Sequence, residues 1–154
     1  MLTKVVKVSN SPDDTFKIAY DISLQISAPV VVGLIGELGT GKTCFAKGFA
    51  SGLGVKELIT SPTFLGLSES YSGRIPFVHM DFYKKVVTKD LVEQFLKKGF
   101  VVLIEWVDNF EEIFKEKLNA PVNVLIEYLK DNEGNLLIEK RQITLFCESE
   151  LILP

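Results

Sequence analysis

The stretch Gly36-Glu37-Leu38-Gly39-Thr40-Gly41-Lys42-Thr43 constrains this chain more than any other. It satisfies G-x-x-x-x-G-K-[ST] without a mismatch and directly follows the apolar run Val30-Val31-Val32-Gly33-Leu34-Ile35. A strand that ends in such a loop and opens into a helix forms a phosphate cradle. Backbone that wraps phosphate oxygens must turn several N–H groups inward, and glycines at 36, 39 and 41 permit those turns. A helix opening near Gly41 or Lys42 adds unpaired N–H groups and the positive end of its dipole. Lys42 is expected to reach the outer phosphates of a nucleoside triphosphate, and the Thr43 hydroxyl to ligate Mg²⁺. Glu37, Leu38, Thr40 and Cys44 complete the expected nucleotide-binding segment.

The flanking sequence supplies a sheet and helices to carry that loop. Lys4 to Ser9 alternates and reads as an edge strand. Ser11-Pro12-Asp13-Asp14 has a helix start in it: a capping Ser, Pro at the first helical position and acids in the first turn. Phe16, Ile18, Tyr20, Ile22, Leu24 and Ile26 alternate as a strand would, yet Ile18, Ile22 and Ile26 also share a helical face. The start signal tips this segment towards helix. Thr43 to Leu53 reads as a helix ended by Gly52 and Gly54, and residues 60–74 as polar and turn-rich. Ile75 to Met80 and Phe100 to Ile104 read as buried strands, with an amphipathic helix from Thr88 to Lys98 between them. Val107 to Leu118 is helix-like. Val122 to Leu129 and Leu136 to Phe146 alternate around Asp131-Asn132-Glu133-Gly134 and predict an antiparallel hairpin. The expected fold is therefore α/β: one P-loop NTPase domain over residues 1–154, with a mixed, partly parallel central sheet, flanking helices and a C-terminal hairpin.

Composition narrows the function. Hydrophobic residues at 47% against 24% charged indicate a packed core. A net charge of −3 with no basic tract argues against autonomous nucleic-acid binding, so any dealing with RNA is expected to pass through partners. No apolar run reaches the ~20 residues of a membrane span, and the N-terminus lacks a signal-peptide layout. Cys44 and Cys147 are too far apart in sequence for a metal motif and read as reduced thiols, which points to the cytoplasm. Cys44 follows the cradle at a helix start, where a thiol pKa can fall. As an isolated cysteine it reads first as a packing residue.

Hydrolysis requires more than a cradle. It needs a carboxylate near Mg²⁺ and the attacking water, and open α/β sheets place such groups at the carboxyl ends of strands. Asp81 and Glu105 both end apolar strands, and those strands are expected to flank the one that feeds the loop. Either acid could hold Mg²⁺ through a water. His79, the single histidine, reads as a positioning or packing residue within Val78-His79-Met80-Asp81, and Trp106 as a core or interface residue rather than a base-stacking one.

Four motifs then occur in order: the cradle, Ser61-Pro62-Thr63-Phe64, His79-Met80-Asp81-Phe82-Tyr83 and Ile104-Glu105-Trp106. Together they resemble the bacterial ATPase family of tRNA threonylcarbamoyladenosine biosynthesis, TsaE (YjeE), across about Ser11 to Trp106. The resemblance implies slow hydrolysis of ATP in support of modification of the adenosine beside the tRNA anticodon. It implies two partners, the threonylcarbamoyl-transferase subunit and its inactive paralogue, with tRNA met only through that complex. In this picture the protein transfers no group itself, and its ATPase resets the complex between rounds. Carried over by motif, Thr43, Asp81 and Glu105 serve Mg²⁺ and water, and Lys42 serves the phosphates. Thr63 contacts the γ-phosphate from a switch-like loop, and Pro12 to Thr15 lie near the adenine. Two departures stand out: Glu37 where the family usually has Asp, and Lys84 where it usually has Arg, which keeps the charge but loses the planar fork. Arg141, in the last strand, is a candidate for another contact at the nucleotide edge.

Two other readings share the cradle. A small-molecule kinase needs an acceptor pocket and usually an Arg-rich lid, yet the arginines here are Arg74 and Arg141, far apart. A GTP-dependent switch normally carries an Asn-Lys-x-Asp loop, which this chain lacks.

Overall fold

The computed structural model describes residues 3–37, 39–57, 59, 67–81, 89–106 and 122–147. Its elements are β1 (Thr3–Ser9), α1 (Pro12–Ser23), β2 (Val30–Gly36), α2 (Lys42–Gly52), β3 (Leu67–Ser70), β4 (Phe77–Asp81), α3 (Lys89–Lys97), β5 (Val101–Trp106), β6 (Val122–Lys130) and β7 (Leu136–Cys147). One seven-stranded sheet has the order β1-β7-β6-β2-β5-β4-β3. β2 pairs parallel with β5 and with β6, and β5 pairs parallel with β4. β3, β7 and β1 add antiparallel pairings to β4, β6 and β7. A mixed α/β sheet is thus the observed class, with β1 at an edge as its alternation predicts.

β2 is the sheet's centre because nothing in Val30 to Leu34 needs water: all five residues are buried. Alternate residues serve opposite faces. Val32 and Leu34 join Phe45, Phe49, Ala19 and Ile22 beneath α1 and α2, whereas Val31 joins Val92 and Phe95 beneath α3. Each Val, Leu, Ile or Phe among them contributes about 1.5–3 kcal/mol by leaving water.

The ambiguous segment after Ser11 is helix. The Ser11 side chain accepts from Asp14 N at 3.1 Å, and the Asp14 carboxylate accepts from Asn10 N at 3.0 Å. Thr15, Ala19, Ile22 and Ser23 form the buried face, which leaves Phe16, Tyr20 and Leu24 between 38% and 49% exposed. A strand would have buried those three with Ile18 and Ile22, so the helical period decides their fate.

α2 ends at Gly52 as expected, where a Cβ would meet Ser23 Oγ at 1.7 Å, and the chain leaves the helix through Gly54 at φ +82°. Two expectations need correction. Residues 60–74 contain strand β3, held as an edge by backbone pairing to β4 despite its polar composition. Asp81 is not on a strand beside β2, because β5 lies between β4 and β2; the second neighbour of β2 is β6. The hairpin is thereby placed against the loop-bearing strand rather than at a remote edge. The expected helix 107–118 lies outside the described residues.

Candidate functional site

The glycine loop leaves the carboxyl end of β2 and enters α2 at Gly41. Gly39 and Gly41 adopt φ of +83° and +105°, a left-handed geometry that disfavours side chains. Gly36 is constrained differently: a Cβ there would lie 2.6 Å from Thr40 Oγ1 and 3.0 Å from Ile126 O. Gly41 is the N-cap of α2 and has no side chain with which to cap it.

Inside the loop, Thr40 is buried and bonds Glu37 O through both its N–H (3.2 Å) and its hydroxyl (2.8 Å). Lys42 Nζ donates to Gly36 O at 2.7 Å, folding the ammonium back over the loop. Thr43 lies half-buried in the first turn of α2. Cys44 Sγ donates to Pro12 O at 3.1 Å, and burial pushes its thiol pKa up, with Lys47 opposing. The packing reading of Cys44 therefore stands over a reactive one.

A cleft of about 590 Å³ opens beside the loop. Asn10, Ser11, Pro12 and Thr15 wall one side; Gly39, Thr40, Gly41 and Cys44 form the floor; Ile138, Glu139 and Arg141 close the other side. This volume is within the ~300–1,000 Å³ range of small-ligand pockets. Pro12 and Thr15 at the start of α1 line this cleft together with the loop, and so does Arg141.

Glu105, next to last in β5, is in register with Leu34 of β2 and with Asp81 of β4. Parallel register puts Glu105 on the Val101/Leu103 face, the face that α2 covers. It is only 7% exposed. Its Oε2 is hydrogen-bonded to Nε2 of His79, itself buried and stacked on Phe77 at 6.4 Å. His79 is thus both packed and positioning: the imidazole fixes one carboxylate oxygen. Among the described residues, no group of three or more His, Cys, Asp or Glu could hold a metal by itself. Mg²⁺ rarely uses such a cage, since one or two protein ligands plus phosphates and water suffice. A helix-start threonine and a buried carboxylate at the adjacent strand end fit that mode. Leu38, Thr63 and Lys84 lie outside the described residues.

The sequence reading missed the contribution of β6. Tyr128 hydroxyl donates to Gly39 O at 3.0 Å, and Arg141 Nε donates to Thr40 O at 2.9 Å. A phosphate-cradle signature directs attention to residues 36–43 and carries no signal for a tyrosine far downstream.

Fold and loop define a single-sheet α/β protein with a glycine-rich loop at the carboxyl end of its central strand. Over residues 9–143 the chain matches the family model described as threonylcarbamoyl adenosine biosynthesis protein TsaE. It is 38% identical over 128 residues to the tRNA threonylcarbamoyladenosine biosynthesis protein TsaE of Bacillus subtilis, covering 82% of this chain and 79% of that one. Identity to the Treponema pallidum protein of the same name is 34% over 135 residues, covering 85% and 97%. The crystal structure of Bacillus subtilis YdiB superposes with a TM-score of 0.75 at 27% identity, covering 97% of this chain and 88% of that one. The chain belongs to the TsaE family, whose work is tRNA threonylcarbamoyladenosine biosynthesis.

Proposed function

We propose that this protein hydrolyses ATP slowly, with Mg²⁺, in support of threonylcarbamoyladenosine modification of tRNA. The observation that carries the reading is the left-handed glycine loop that leads through Gly41 into α2, with the buried Glu105 near the neighbouring strand end. Backbone N–H groups from Gly36 to Cys44, including Glu37, Leu38, Gly39, Thr40 and Gly41, surround the phosphates. Lys42 exchanges Gly36 O for phosphate oxygens, a charge-assisted and stronger partner. Thr43, Asp81 and Glu105 would hold Mg²⁺ directly or through water, and the ion would supply electrostatic neutralisation of the phosphates. Glu105 orients the attacking water, Thr63 contacts the γ-phosphate, and His79 keeps the Glu105 carboxylate in one rotamer. The water oxygen bonds to the γ-phosphorus as the bond to the ADP oxygen breaks. The work is done on the threonylcarbamoyl-transferase subunit and its inactive paralogue, and tRNA is met through them.

Arg74 supports this reading over a kinase. Its guanidinium donates to Ser23 O at 2.8 Å and its backbone N–H to Leu53 O, which anchors it away from the cleft. Calorimetry with Mg-ATP and a phosphate-release assay, each with and without the two partner proteins, test the proposal. Lys42→Ala and Thr43→Ala should weaken nucleotide or Mg²⁺ binding, whereas Glu105→Ala should spare binding and lower turnover by ~100-fold or more. Equal loss of affinity in all three contradicts the assigned roles. Absence of ATP-dependent tRNA modification with the partners present contradicts the function.

A further inference from the structure

The C-terminal hairpin is built irregularly where it meets the loop. Pairing from the turn runs Lys130 with Leu136 and Leu129 with Leu137; unbroken, it would put Ile138 opposite Tyr128. A register shift between Tyr128 and Leu129 puts Arg141 there instead. The bulge leaves the carbonyls of residues 138–140 without regular ladder partners, and Arg141 takes two of them. Its Nη1 donates to Ile138 O at 2.5 Å and to Lys140 O at 3.0 Å. Its Nε donates to Thr40 O at 2.9 Å, and the guanidinium lies 4.0 Å from the centre of the Tyr128 ring. The Tyr128 hydroxyl in turn holds Gly39 O at 3.0 Å. Two successive loop carbonyls are thus gripped by two side chains stacked on one another.

The grip has a consequence for anion binding. Across a trans peptide, C=O and N–H point in opposite directions. Holding Thr40 O toward the hairpin turns the Gly41 N–H away from it, and holding Gly39 O turns the Thr40 N–H away too, toward Glu37 O at 3.2 Å, which fixes the loop's turn. The guanidinium also offsets the partial negative charge of a carbonyl beside the cradle. We infer that Tyr128 and Arg141 are positioning residues for the phosphate cradle: the bulged hairpin sets the loop's N–H directions, acting through backbone. The inference rests on the nucleotide-binding reading above.

Two probes separate this from a direct contact between Arg141 and the base: Mg-ATP, and inorganic tripolyphosphate, which has no base. Dissociation constants are measured by calorimetry for wild type, Arg141→Gln, Arg141→Lys, Tyr128→Phe and the Tyr128→Phe/Arg141→Gln double variant, with the melting temperature of each. Arg141→Gln should weaken ATP and tripolyphosphate alike, on the order of 10-fold, as loss of a charged hydrogen bond does. Arg141→Lys should recover little, since one ammonium cannot span three carbonyls and stack on the ring. Tyr128→Phe should weaken both about 5-fold. The double variant should lose less than the product of the single losses, because each residue holds the other. Loss of ATP affinity with unchanged tripolyphosphate affinity assigns Arg141 to the base and overturns the inference. So do unchanged affinities in both single variants. Wild-type protein that binds neither probe refutes the nucleotide reading itself, a distinct outcome. If Arg141→Gln does not fold, the near-isosteric Tyr128→Phe decides alone.

Discussion

Removing His79 exposes how much the fold depends on the pair at the end of β5. The His79 side chain is 1% exposed and that of Glu105 10%, so neither is solvated enough for water to replace the other. His79→Ala leaves the carboxylate buried without this partner, a change that costs about 3–5 kcal/mol when a buried pair is broken from one side. It also removes a ring packed on Phe77. A total near 4 kcal/mol corresponds to a fall in Tm of about 12 °C, from about 2–4 °C per kcal/mol for a domain of this size. Urea unfolding followed by circular dichroism gives the free energy directly. Replacing both members, His79→Leu with Glu105→Leu, removes the stranded charge and should return stability to within about 2 kcal/mol of wild type. The reasoning fails if His79→Ala costs less than about 1 kcal/mol, or if the double variant is as unstable as the single one.

Gly36→Ala places a methyl 2.6 Å from Thr40 Oγ1 and 3.0 Å from a backbone carbonyl that cannot yield. The displaced Thr40 should lower Mg-ATP affinity at least ~10-fold, at the ~1–3 kcal/mol typical of overpacking; unaltered calorimetric affinity refutes this. Gly48→Ala brings Cβ to 2.2 Å from Phe16 O, so α1 must back away from α2. Chemical denaturation should show a loss of about 2 kcal/mol, and a neutral result would mean the helix pair is looser than its geometry. At the hairpin turn, N–H groups of Asn135 and Glu133 bonded to the Asp131 carboxylate hold its pKa below the ordinary 3.8. The folded value is depressed, so this contribution is present above pH 3.8 and is lost as pH falls through the lower folded value. An NMR titration should place Asp131 below 3.8, and Asp131→Asn should flatten that part of the acid-side stability curve; a titration at or above 3.8 contradicts the turn geometry.

Local chemistry was legible wherever it is written in neighbouring residues. The Ser11-Pro12 start overrode six alternating apolar positions because a cap and a fixed φ act within one turn. β2 declared itself buried by having no polar residue, and the hairpin turn by Asp131 and Gly134. The end of α2 at Gly52 and Gly54 is legible for the same reason, whereas the close approach of Ser23 to Gly52 depends on another helix and carries no local signal.

The sequence by itself determined the glycine loop, the helices capped at Ser11 and Gly41, and the family, because each depends on short-range spacing or on motif order. Tertiary structure alone decided which strands neighbour β2, since parallel pairing is a long-range choice with no local code. It put Glu105, rather than Asp81, on the strand next to the cradle, and it brought His79 to the Glu105 carboxylate. It also let a bulge place Arg141 opposite Tyr128, where the two hold Gly39 and Thr40. Residues this distant along the chain meet only when the sheet's register closes, and register is settled by the burial of the whole face at once.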